Sequence, residues 1–283
     1  MTKTAMPIVP VNALPGVRSD LTPQALKNWN PDLSPKAEGL GEHSISILGP
    51  IGKYYEDGVT AARISAALRN IGDNPVDVYV NSPGGDVFEG LAIYSLLLEH
   101  KAPVTVKVLG LAASAASVLA MAANEIHIMR SAFIMIHNTW VVAAGDRNAF
   151  KQVAEWLTPF DEALVDIYVA RTGLKSADIA AMLDKETWLG GAKAVEEGFA
   201  DDFLGADQVS QEVKDGLKIS PSAARQKADL LMARGSAPRS MRRELLAALN
   251  ASTPGAAGQD TPSAEPENAA LAGALALLNQ HTS

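Results

Sequence analysis

The chain has 283 residues, 47% hydrophobic and 20% charged, with 24 Lys and Arg against 32 Asp and Glu, a formal net charge of -8 and no cysteine. That length and apolar content suffice for a sizeable core in one or two domains, while the acidic balance, with no basic block to offset it, argues against a nucleic-acid binder. Without cysteine neither a disulfide framework nor a thiolate metal site can form, so nothing points to an oxidising compartment and the cytosol is the expectation.

Residues 1–40 are proline-rich and weakly patterned. Pro7, Pro10 and Pro15 break the apolar stretch, so no signal-peptide core forms. The segment reads as an arm with little core of its own. From 41 to about 205, strand-like and helix-like runs alternate, the pattern of an α/β domain. SISILG (44–49) reads as a strand and residues 57–71 as an amphipathic helix. VDVYVN (76–81) is a strand ending in SPGGD (82–86), and a helix follows over 86–100 with Asp86 as N-cap. VTVKVLG (104–110) is the next strand, followed by a helix over 113–123. The run between Lys107 and Glu125 carries no charge, but it is too short and too rich in Gly, Ala and Ser for a membrane span. It reads as a buried strand, turn and helix of a soluble protein. EIHIM (125–129) and AFIMIHN (132–138) are two further strands. A long helix covers roughly 146–172, where Phe150, Val153, Trp156, Leu157, Phe160, Leu164, Ile167 and Tyr168 keep a helical period. Pro159 sits inside it and Gly173 suits its end. Short helices follow at 176–183 and 191–199. Residues 206–283 form a polar, alanine-rich tail: helices over 221–235 and 239–250, a linker-like stretch at 252–268, and a last apolar run at 269–280 that either docks on a partner or frays.

Four features bear on chemistry. GLAASAAS (110–117) places Ser114 where a strand gives way to a helix. A helix N-terminus offers unpaired N–H groups and positive potential, which favour an oxyanion. Ser117, one turn deeper, reads as packing. Small-residue helix starts are common, so by itself the stretch reads as packing before catalysis. Gly84 and Gly85 of SPGGD allow positive φ and put backbone N–H groups on show. Such a turn suits the oxyanion of a peptidase or of an acyl-thioester enzyme, and an ordinary tight turn equally well. Among the histidines, His43, His100, His127 and His281 read as structural or terminal. His137 ends the strand 132–138, a place from which a general base can point into a cleft, although on its own the structural reading comes first. Asp184 and Glu186 of LDKETWLGG (183–191) are the candidate acids to orient such a base; the alternative is a solvated acidic turn.

VYVNSPGGDV (78–87), GLAASAAS (110–117), FIMIHN (133–138) and ETWLGGAKAVEEGFADD (186–202) stand in the order found in the proteolytic subunit of Clp proteases. Over roughly residues 44–204 the chain resembles that family in motif type, order and spacing. The resemblance implies an α/β fold, the repeated ββα spiral shared with crotonases, with a protruding handle helix at 146–172 that packs between subunits of a homo-oligomeric ring. It implies a serine endopeptidase with Ser114 as nucleophile (from the G-x-A-A-S motif) and His137 as general base (from the M-I-H motif). The family's acid falls on Glu186, two positions before Trp188 and Leu189. Cellular members usually have aspartate there, and this departure keeps Asp184 as the second candidate. The oxyanion donors fall on the Gly84–Gly85 turn and the N–H of Ala115. No metal or cofactor is implied. ATP would enter only through a separate AAA+ unfoldase, since the chain has no G-x-x-x-x-G-K-[ST] motif. The implied partners are a polypeptide substrate, sister subunits and such an unfoldase, with no nucleic acid and no membrane.

Other departures are Leu111 in place of a polar residue, no proline closely following His137, the long N-terminal arm and the tail over 206–283. In these the chain looks more like the Clp-related head-maturation proteases of phages and prophages, which trim scaffold or capsid protein inside a procapsid in the bacterial cytoplasm. Three other readings stay open. They are a signal-peptide-peptidase-like enzyme with Lys107 or Lys151 as base, a crotonase-type acyl-CoA enzyme, and a non-catalytic assembly protein.

Overall fold

Val and Ile dominate the central strands, and most of their residues are buried on both faces, as a parallel sheet covered by helices requires. The computed structural model describes residues 17–35, 40–205, 209–210 and 220–251. In chain order the elements are β1 (Val17–Ser19), α1 (Pro23–Asn28), β2 (Ser34–Pro35), β3 (Ser44–Ile47), α2 (Ala61–Ile71), β4 (Val76–Ser82), α3 (Val87–Leu98), β5 (Val104–Ala113), α4 (Ala115–Ala120), β6 (Glu125–Ile128), β7 (Phe133–Ile136), β8 (Val141–Ala143), α5 (Arg147–Thr172), α6 (Ser176–Asp184), β9 (Thr187–Gly190), α7 (Gly191–Glu196), β10 (Asp202–Phe203), β11 (Val209–Ser210), α8 (Pro221–Arg234) and α9 (Arg239–Ala251).

The main sheet runs β10–β6–β5–β4–β3 with all neighbours parallel, while β7 joins the far end of β5 and carries β9 antiparallel. β5 changes partner along its length. Its first half faces β6, with Val106 opposite Ile126, and its last residues face β7, with Ala112 opposite Ile134. Because β5 ends at Ala113 and β7 at Ile136, the residues that follow, Ser114 and His137, leave the sheet side by side. The core around this sheet includes Ile47, Val80, Val108, Leu119, Ile126 and Ile134, all fully buried.

The helix ends follow local chemistry. Thr60 accepts from the N–H of Arg63 at the start of α2, Asp86 from Phe88 and Glu89 at the start of α3, and Asp146 from Asn148 and Ala149 at the start of α5. Gly173, at φ 72, closes α5 in the left-handed region. The buried residues of α5 are Phe160, Leu164, Ile167 and Tyr168, all in its C-terminal half. The N-terminal half leaves Phe150 exposed and Val153, Trp156 and Leu157 half-buried.

One expectation is corrected. The helix expected over 113–123 covers only Ala115–Ala120, because Ala112 and Ala113 pair with Ile134 and Met135. Ladder hydrogen bonds at the sheet outweigh alanine's helical preference. The N-terminal arm, expected to have little core of its own, buries Leu21, Ala25, Leu26 and Trp29 against residues of other segments, Tyr55, Leu111, Met135, Leu230 and Ala233. Its short helix has a local signal too, since Thr22 caps it and Pro23 occupies its first turn. Trp29 Nε1 donates to the Asn81 carbonyl (3.1 Å), and Asn81 Nδ2 donates back to the carbonyls of Asn30 (2.7 Å) and Leu33 (3.0 Å). The linker-like stretch 252–268 and the apolar run 269–280 lie outside the described residues. Among the described residues, no helix is long and apolar enough to cross a membrane.

Candidate active site

Ser114 occupies the single residue between β5 and α4. Its backbone, at φ 55 and ψ -126, lies in a region that non-glycine residues seldom adopt. The N–H of Ser114 donates to the Met135 carbonyl (2.9 Å), and its own carbonyl accepts from the N–H of Ser117 (2.9 Å) and of Val118 (3.2 Å). The turn is therefore held from both sides while the side chain stays free to point outward. Ser117 is fully buried; its hydroxyl bonds the Ser114 carbonyl (2.7 Å) and the Tyr168 hydroxyl (2.8 Å).

His137 Nε2 lies 2.7 Å from Ser114 Oγ. The imidazole is 8% exposed. Burial pulls its pKa down to about 4, opposed in part by a hydrogen bond with the Asn138 backbone. The ring is thus neutral at neutral pH. With its proton on Nδ1, it presents Nε2 as the acceptor for the serine hydroxyl.

The glycine turn presses against this pair. Gly84 (φ 89) and Gly85 (φ 142) both need backbone freedom that side chains deny. A Cβ on Gly84 would sit 2.6 Å from the Ala113 carbonyl oxygen and 2.7 Å from Ser114 Cβ, and one on Gly85 would sit 2.1 Å from the Ile51 oxygen. The two Gly84 backbone groups are engaged: its N–H donates to Ser82 Oγ (3.1 Å) and its carbonyl accepts from Ile51 (2.7 Å). The N–H groups of Gly85 and Ala115 make no hydrogen bond among the described residues, and both residues line the pocket that holds Ser114 and His137.

The two candidate acids do not reach the imidazole. Glu186 (φ 49) accepts from its neighbour Trp188 Nε1 (3.2 Å). Asp184 accepts from Asn138 Nδ2 (2.7 Å). A third carboxylate, Asp161 of α5, accepts from the N–H of Thr139 (2.6 Å). Burial raises the Asp161 pKa, the bonds from Thr139 oppose this, and the charge of Asp184 adds to it. Asp184 and Asp161 thus hold the two residues after His137, one through a side chain and one through the backbone. Sequence reasoning misses Asn138 and Asp161. Asn138 adjoins the histidine motif, but nothing local to α5 marks Asp161, because its partner lies 22 residues away.

The lysine alternatives are elsewhere. Lys107 lies seven residues before Ser114 on the same strand, about 23 Å away at about 3.3 Å per residue. Burial lowers its pKa, but the hydrogen bond and charge of Asp77 (2.9 Å) more than offset this, so it stays protonated and unfit as a base. Lys151 is exposed on α5.

A strained serine at a strand–helix junction, a neutral buried histidine at hydrogen-bond distance and two uncommitted N–H groups beside them form the arrangement that acyl transfer requires. The family model for Clp protease matches residues 37–207, which is more than half of the chain and spans every one of these groups. With a parallel α/β sheet that carries the four motifs in the family's order, the chain belongs to the Clp protease family.

Proposed function

We propose that the chain is a serine endopeptidase in which Ser114 is the nucleophile and His137 the general base. The 2.7 Å contact between Ser114 Oγ and His137 Nε2 carries this reading. His137 takes the hydroxyl proton as Oγ attacks the scissile carbonyl. The N–H groups of Gly85 and Ala115 receive the oxyanion, and the Gly84 N–H, bound to Ser82, shapes the turn. His137 then protonates the leaving amine, and water resolves the acyl-enzyme by the reverse sequence. The chemistry uses no metal or cofactor, and ATP enters only where a separate AAA+ unfoldase delivers substrate. Glu186, with Asp184 second, serves as the acid only in a state where the turn at 184–188 shifts towards the imidazole; with both carboxylates bonded elsewhere, the Ser114–His137 pair acts without it. The working form is a homo-oligomeric ring, favoured by the exposed Phe150 and the half-buried Val153, Trp156 and Leu157 on the N-terminal half of α5. The arm and tail outside the family match favour a phage or prophage head-maturation role, on scaffold or capsid protein in the bacterial cytoplasm, over a host Clp subunit.

Prolonged exposure to a fluorophosphonate is expected to give an adduct that mass spectrometry places on Ser114 and that His137→Ala abolishes. Absence of an adduct from folded, assembled protein would overturn the proposal.

The depressed pKa of His137 gives a second expected result. Burial disfavours the protonated ring, so the base stays active as pH falls through 6.5, and the acid limb of kcat/KM lies near pH 4. A limb at 6.5 or above would mean that the imidazole is hydrated or paired with a carboxylate in the working enzyme. The same shift acts on stability. The unfolded histidine binds a proton below about pH 6.5 while the folded one does not. The folded state therefore loses stability progressively between that pH and about 4.

A further inference from the structure

One lining residue of the Ser114 and His137 pocket comes from outside the family match: Asp20, in the N-terminal arm. The arm arrives there as a strand. β1 pairs antiparallel with β8, Val17 opposite Ala143, Arg18 opposite Val142 and Ser19 opposite Val141. β8 begins four residues after His137, so each step from Val17 to Ser19 brings the arm closer to the histidine. Past Ser19, the residues Asp20, Leu21 and Thr22 are 7%, 1% and 3% exposed. The cavity left at the site is about 10 Å³, room for about one water and too small for a peptide group.

This is how a cleft holds a polypeptide of any sequence: an extended segment adds to a free strand edge through its main chain. The direction also fits the chemistry. In acyl transfer the nucleophile keeps the N-terminal part of the cleaved chain, so a productive substrate lies along the edge with its N-terminal side and presents its carbonyl at the serine. The arm runs in that sense, N to C towards the pocket.

The arm is also tied down. Arg18 donates to the carbonyls of Arg234 (2.8 Å) and Ala233 (3.3 Å) at the end of α8 and to the Tyr54 hydroxyl (3.3 Å), and it pairs with Asp20 (3.6 Å). Two segments that lie outside the family match, the arm and the tail helix, thereby hold each other.

We propose that residues 17–22 are a resident peptide occupant of the cleft at Ser114 and His137: paired on the edge of β8, the arm must leave before a substrate is cut. The proposal rests on the Ser114–His137 reading above. The occupied fraction scales down every reaction at the serine, because only the open state is competent.

The chain has no cysteine, so a designed pair is unique. Ser19→Cys with Val141→Cys places thiols at directly opposite positions, within bridging reach. The readout is the rate of fluorophosphonate labelling at Ser114 in the full chain. The oxidised form is expected to label at least about 10-fold more slowly than the reduced form of the same protein, and Arg18→Ala to label faster than the unmodified chain. Equal rates in oxidised and reduced forms, with Ser114 labelled in both, would overturn the occupancy and leave the nucleophile standing. No label on Ser114 in any form, including Arg18→Ala whose amides at 17–19 exchange freely, would overturn the nucleophile and the occupancy together.

Discussion

Replacing Ser114 by alanine is expected to lower peptide hydrolysis by about 10⁴-fold or more, with little change in melting temperature. The substitution removes one oxygen and keeps the chain through a backbone already at φ 55. His137→Ala is expected to cost about as much, and the double variant no more than either, because nucleophile and base act as one unit. Cleavage of a short fluorogenic peptide, read alongside thermal unfolding, checks all three. Glu186→Gln and Asp184→Asn are expected to cost far less, since the Glu186 carboxylate bonds Trp188 and the Asp184 carboxylate bonds Asn138. A loss in Glu186→Gln as deep as in Ser114→Ala would establish that its carboxylate reaches the imidazole during turnover. The same depth in Asp184→Asn would move that role to Asp184.

Breaking the Asp229–Arg242 pair is expected to destabilise the packing of α8 and α9 by about 3–5 kcal/mol. Arg242 is 0% exposed and Asp229 5%. Arg242 Nη1 lies 2.9 Å from Asp229 Oδ1, its Nη2 donates to the Tyr54 carbonyl (2.6 Å), and its guanidinium stacks 4.9 Å from the centre of the Tyr54 ring. Asp229 also accepts from the N–H of Glu56 (3.0 Å). Arg242→Ala would therefore strand a buried carboxylate, and Asp229→Ala a buried guanidinium whose Nε already has no partner among the described residues. Replacing both, as Asp229→Leu with Arg242→Met, is expected to recover most of the loss, because it removes both desolvation costs at once. Urea unfolding measures the size of the effect, and hydrogen exchange resolves whether α8 and α9 open without the sheet. Since Arg18 is anchored on the last carbonyls of α8, the single variants are also expected to speed labelling of Ser114.

Elements with their own period and caps are legible in the amino-acid sequence alone. β4 alternates and then turns at two glycines, α3 starts at Asp86, and α5 runs from Asp146 to Gly173 with its apolar residues in helical step. Such signals are local: each residue type reports the φ and ψ, or the burial, of its own segment. Ser114 and His137 are pointed to by the resemblance of four ordered motifs to the family, since each short run by itself reads first as packing or structure. The 2.7 Å between them is a tertiary fact, set by β5 exchanging β6 for β7. Pairings between distant, short or polar segments are not legible in this way. Three-residue strands such as β1 and β8 carry too little pattern to show that they meet. An arginine at 242 reads as solvated until a carboxylate and a tyrosine ring are folded around it. The same holds for Asp20 in the pocket, for Asp161 on Thr139 and for Asp184 on Asn138. Local periodicity records that a face will be buried. Which distant chain segment buries it, and which charge then needs a partner, is decided only when the whole chain has packed.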